Sequence, residues 1–118
     1  MSLAIGAAQR IFVYRGACDM RRSFDRLAAM VEHELHRDPM QGDYFVFSNR
    51  RGTMLKLLYW DGDGFAIWYK RLERGRFRLG EVDELDRAEW SLLLEGVVAK
   101  ELRRLPRYKK MAKPSVPR

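Results

Sequence analysis

The chain has 118 residues, of which 47% are apolar and 12% aromatic, enough to build one domain with a real core and too few for a second. No apolar run approaches the roughly 18 to 20 residues that span a bilayer, and the N-terminus lacks a secretory pattern, so no membrane partner is expected and the expected location is cytoplasmic. The single cysteine, Cys18, excludes an internal disulfide and a cysteine-rich zinc site, leaving an inert or weakly reactive thiol.

The net charge of +7 is unevenly placed. Residues 1–98 carry 15 Lys or Arg against 15 Asp or Glu, so this part is neutral. The excess falls in residues 99–118, where Lys100, Arg103, Arg104, Arg107, Lys109, Lys110, Lys113 and Arg118 face Glu101 alone. Pro106, Pro114 and Pro117 prevent a long helix there, so the reading is a single domain over 1–98 and a mobile basic tail over 99–118. Such a tail suits a polyanion, nucleic acid first, or else simply aids solubility.

In chain order, Ile11 to Arg15 is a short β-branched and aromatic run closed by Gly16, which reads as a strand. Met20, Phe24, Leu27, Ala28, Val31 and Leu35 then recur at helical spacing behind Asp19, which reads as the cap, and the pattern stops at Asp38-Pro39. Four strand-like runs follow, Tyr44 to Ser48, Met54 to Trp60, Phe65 to Arg71 and Arg76 to Leu79, joined by three short Gly-containing turns. Asp86 and Glu89 have capping-box spacing ahead of Trp90, Leu93, Leu94, Val97 and Val98, a second amphipathic helix. The expected fold is α+β, an antiparallel meander of about four to five strands packed with an N-terminal and a C-terminal helix. One sheet face would bury against both helices while the other meets solvent or a partner.

Chemistry-bearing motifs are sparse. Asp61 and Asp63 sit in Trp60-Asp61-Gly62-Asp63-Gly64-Phe65, but Phe65 and Leu72 occupy positions where a calcium loop needs oxygen ligands, so a hairpin turn is the better reading. His33 and His36 lie off the apolar stripe of the first helix and lack an HExxH context. No serine elbow, phosphate loop or dinucleotide fingerprint is present, and no metal or cofactor is expected. The arginines are more informative. Strand direction in a meander makes the first and third turns neighbours, which groups Arg50 and Arg51 with Arg74, and brings Lys70, Arg71 and Arg76 close. Clustered guanidinium groups can grip phosphates, and Tyr59, Trp60, Trp68 and Tyr69 would offer stacking surfaces where exposed.

Two segments, CDMRRSFDRLAAMV (Cys18 to Val31) and DPMQGDYFVFSNRRGTMLKLLYWDGDGFAIWYKRLERGRF (Asp38 to Phe77), resemble the small TnpB-type accessory protein encoded by the second reading frame of sixty-six-type bacterial insertion sequences. The resemblance covers about Ile11 to Gly96, and the continuous RRG, YWDGDG and YKRLERGRF stretches make it specific. It implies a helper role in transposition beside a separate, larger transposase that carries the acidic catalytic triad. No catalytic residue carries over. The matching segments nominate Asp19, Met20 and Arg21, then Arg50, Arg51 and Gly52, then Trp60 to Gly64, then Tyr69 to Phe77. The ends depart from the family: a tryptophan and a proline are expected near Leu79-Gly80, and the segment from Val97 to Arg118 differs.

The resulting expectation is a non-catalytic accessory factor whose partner is DNA at the element ends, the transposase, or both. Candidate DNA contacts are Arg50, Arg51, Lys70, Arg71, Arg74 and Arg76, with Lys109 and Lys110 in the tail. Candidate partner-surface residues are Asp19, Arg21, Trp60, Asp61, Asp63, Trp68 and Tyr69. The alternatives are a module docking on the transposase without DNA contact and, as a minor reading, a metal-dependent nuclease using Asp61, Asp63 and Glu73.

Overall fold

A computed structural model describes residues 5, 6, 8–77 and 79–94. The expected tail, with Lys109 and Lys110, lies outside the described residues. Strand β1 (Ile11–Ala17) leads into helix α1 (Phe24–Glu34), followed by β2 (Tyr44–Ser48), β3 (Met54–Trp60) and β4 (Phe65–Arg71), then the two-residue β5 (Glu84–Leu85) and α2 (Arg87–Leu94). Among the described residues the five strands form one sheet in the order β4-β3-β2-β1-β5. Only β2-β3-β4 is a meander; β1 pairs with β2 in parallel and with β5 antiparallel.

The α+β class holds, with three corrections to the expected arrangement. The first helix is not N-terminal to the sheet, because β1 precedes it and α1 is the crossover that a parallel β1–β2 pair requires. The run Arg76 to Leu79 contributes no described strand; the Phe77 amide donates to the Gly52 carbonyl at 2.7 Å, and the fifth strand lies further on, at Glu84–Leu85. Neither sheet face is left open. Leu27, Met30 and Val31 of α1 pack with Phe12, Phe45, Phe47 and Leu58 on one face. Trp90 and Leu93 of α2 pack with Ile11, Val13, Val46, Leu55 and Leu57 on the other. Phe45, Val46, Phe47, Leu57 and Leu58 are all fully buried, so truncating any of the larger ones to Ala costs about 3–5 kcal/mol.

The helix ends also follow from local chemistry. Asp19 does not cap α1. Its carboxylate takes the backbone N–H of Arg21, and its carbonyl takes that of Arg22, which forms a turn and delays the helix until Ser23 sits in extended geometry at the N-cap position. At the other end the Arg37 amide reaches back to the Val31 carbonyl across a wide closing turn in which His36 takes φ 56, a left-handed position where glycine is usual. Helix α2 starts on a complete capping box: Glu89 N–H donates to Asp86 Oδ1 at 2.7 Å and Asp86 N–H to Glu89 Oε1 at 3.0 Å. Strand β5 is tied to Arg10, the residue before β1, by a two-pronged Arg10–Glu84 pair with both contacts at 2.8 Å. Cys18 lies under α1, 3% exposed, and burial pushes its thiol pKa up.

Replacing His36 with Gly relieves the left-handed backbone, and the expected gain is up to about 1 kcal/mol in a chemical denaturation series, with an unchanged slope.

Candidate nucleic-acid interface

The end of the sheet where β2 turns into β3 carries the most elaborate local construction. The Asn49 side chain accepts from the amides of Thr53 (2.9 Å) and Met54 (3.0 Å) and donates to the Thr53 hydroxyl (3.0 Å). Gly52 closes the turn at φ 73, and its carbonyl receives the Phe77 amide. A Cβ at Gly52 would lie 2.9 Å from the Phe77 carbonyl oxygen, so only glycine fits this crossing. Arg50 and Arg51 occupy the exposed tip of this braced loop.

Beside the tip, β1 carries two extra residues against β2, since Val13 pairs with Val46 but Ala17 with Ser48. This irregularity adjoins a groove of about 690 Å³ lined by Val13 to Ala17, Ser48 to Gly52, and Arg76, Phe77, Leu79 and Gly80. Four guanidinium-bearing residues line it: Arg15, Arg50, Arg51 and Arg76. Arg15 is engaged by Asp83 (3.3 Å) and Glu81 (3.8 Å). Among the described residues no carboxylate lies within ion-pair distance of Arg50, Arg51, Arg74 or Arg76.

The other nominated cations sit differently. Arg74 is exposed in the turn after β4 but does not line the groove. Arg71 pairs with Glu73 at 3.0 Å on the surface. Lys70 projects to the opposite sheet face, where its ammonium donates to the Leu94 carbonyl at 2.7 Å and so serves the end of the described part of α2.

The nominated partner-surface residues fall at three places. Asp19 and Arg21 form a bidentate pair with a shortest contact of 2.7 Å on the β1–α1 loop. The guanidinium and amide of Arg21 hold the Asp19 carboxyl well below the usual carboxylate range. Asp61 and Asp63 flank Gly62 (φ 89) in a tight hairpin closed by Asp61 N–H to the Gly64 carbonyl at 2.8 Å, the pattern of a II′ turn. Trp60 meets Phe65 edge-on, and Trp68 meets Trp90 at 5.9 Å between ring centres; both are half-buried. Tyr69 is half exposed, its ring over the Lys56 ammonium. Glu73 is separated from the aspartate turn by the length of β4, about 20 Å, and among the described residues no cluster of three acidic, histidine or cysteine side chains could hold a metal.

Two residues of this region escape a reading from sequence. Arg15 reaches the groove because of the β1 irregularity, which has no sequence period. Lys56 is 7% exposed and donates to the carbonyls of Met20 and Arg22 at 2.7 Å each, fixing the loop that carries the Asp19–Arg21 pair. A lysine inside the apolar run Met54-Leu55-Lys56-Leu57-Leu58 was the available signal.

The fold and the groove define a small α+β domain that presents, on a turn braced by Asn49 at one end of a two-sided sheet, arginines without a carboxylate partner among the described residues. The model of the family described as IS66 Orf2 like protein matches residues 9–104, and the chain belongs to that family, whose role is accessory to transposition. The chain is 37% identical over 99 residues to the uncharacterized protein y4hO of Sinorhizobium fredii, covering 80% of this chain and 86% of that one. It is also 37% identical over 101 residues to the uncharacterized protein y4jC of the same organism, at 82% and 86% coverage. No solved structure matches the chain. No helix of the described residues is long and apolar enough to cross a membrane.

Gly52→Ala forces both a left-handed alanine and a displaced Phe77 carbonyl, so a loss of about 1–3 kcal/mol is expected by denaturant titration. The depressed Asp19 carboxyl contributes stability that is present above the ordinary aspartate value, near 4, and lost as pH falls through its lower folded value. Thermal melts across acid pH should therefore show a shallower decline for Asp19→Asn than for the parent chain.

Proposed function

We propose that the chain assists transposition as a non-catalytic, cytoplasmic factor that grips DNA phosphates with Arg50, Arg51 and Arg76, with Arg74 alongside and the basic segment 99–118 adding sequence-independent attraction. The observation that carries this reading is the placement of three guanidinium groups without carboxylate partners, among the described residues, around one groove and partly on a loop braced by Asn49 and Gly52. An arginine with a carboxylate neighbour is already neutralised. One without is poised for a phosphate, whose oxygens match the guanidinium fork. The open groove of about 690 Å³ has room for a sugar-phosphate backbone, and among the described residues no cluster of acidic, histidine or cysteine side chains could hold a metal.

The transposase is a second partner, favoured by charge segregation. Asp61 and Asp63 lie at the sheet end opposite the arginine turn, so a protein could dock there while DNA occupies the groove. The nuclease reading is disfavoured by the separation of Glu73 from the aspartates.

The test is titration of the protein against duplexes carrying the terminal inverted repeat or a scrambled sequence, at two or more salt concentrations. With about five phosphates neutralised, log affinity falls against log salt with a slope near −4 to −5, and Arg50→Ala with Arg51→Ala together should flatten it by about 2. A slope indifferent to those substitutions would remove the groove from the DNA site.

A further inference from the structure

The two edges of the sheet are built differently. At one edge β5 has two residues, too short to template another strand. At the other, β4 runs for seven residues in unbroken register with β3, from Trp60↔Phe65 to Met54↔Arg71, with no bulge and no proline. The ladder is flanked by Leu72 N–H to Thr53 O and Asp61 N–H to Gly64 O, both 2.8 Å. Antiparallel alternation then directs the even-numbered residues of β4 toward β3. The backbone N–H and C=O groups of Phe65, Ile67, Tyr69 and Arg71 point away from the sheet, with no strand among the described residues to receive them. A regular edge of this length, apolar or aromatic from Phe65 to Tyr69, is a template for another strand.

We infer that this edge pairs antiparallel with β4 of a second copy of the chain, joining two five-strand sheets across a two-fold axis at Ile67. The sequence of the edge is complementary to itself in that register. Ile67 lies opposite Ile67 of the second copy, Phe65 opposite Tyr69, and Asp63 comes beside Arg71, each contact made twice by symmetry. The neighbouring register, centred on Trp68, sets Asp63 against Glu73 of the second copy and is repelled. Asp63 has no ion-pair partner among the described residues, and Arg71 has only the exposed Glu73. The cross-copy pair therefore adds an attraction that the single chain leaves unused. No residue of β4 lines the arginine groove, so this assembly does not depend on the DNA reading, nor that reading on it.

Sedimentation equilibrium of the full chain without DNA should give twice the 14.0 kDa chain mass at micromolar concentration. Asp63→Arg and Arg71→Asp, each placing like charges at both symmetric contacts, should each weaken dimerisation about tenfold or more. The double variant, which exchanges the charges, should recover most of the loss, and circular dichroism verifies that every variant folds. A monomer across the concentration range, which includes the case of segment 95–118 covering the edge, overturns the inference. So does a dimer unaffected by either reversal, or single losses that the double variant fails to rescue.

Discussion

Because β1 and β2 run parallel, the chain between them must travel back the length of a strand before β2 can begin, and α1 is that return path. The helix lands on one face of the sheet and buries Phe12, Phe45, Phe47 and Leu58 there. That leaves Ile11, Val13, Val46, Leu55 and Leu57 pointing the other way, and α2 with Trp90 closes over them. A central sheet apolar on both sides can only exist with a cover on each. The capping box that starts α2 and the Arg10–Glu84 clamp on β5 both serve to bring the second cover into position.

The same parallel pairing creates the functional end of the molecule. Strand β1 delivers its C-terminal residues beside the β2–β3 turn, and the two extra residues of β1 hold a space open between them. The wall of that space comes from positions around 15, 50 and 77, which meet because Gly52 admits the Phe77 backbone. Positive charge is concentrated on this side by geometry, since the described residues as a whole are nearly balanced in acids and bases. Of the acidic residues near this end, Asp83 and Glu81 are taken up by Arg15 and Glu73 by Arg71, while Asp61 and Asp63 lie at the far hairpin.

Much of this was legible in the sequence, and the exceptions have physical causes. The spans of β2, β3 and β4 follow from alternating and β-branched composition between Gly-bearing turns, and the Asp86–Glu89 box follows from spacing. Strand direction alone places the first and third turns together. The open face was misread because Tyr44-Phe45-Val46-Phe47 is apolar at every position, the mark of a strand buried on both sides, rather than alternating. Asp19 was misread because a side chain that satisfies its own turn looks, in sequence, like one that caps a helix. Among the candidate site residues, Lys70 stands apart from Arg71 by a one-residue step, which in a strand is a change of face; only the position of α2 reveals what its ammonium meets.

The sole thiol of the chain acquires a use from its location. Cys18 lies at the junction of β1 and the loop into α1, sealed by Leu27, Met30 and Val31, with its ionisation suppressed by burial. A thiol reagent reaches it when that helix lifts from the sheet, so the rate of labelling counts the openings of one face while the α2 face goes unread. The native sequence thus contains a built-in stopwatch for half of its own core.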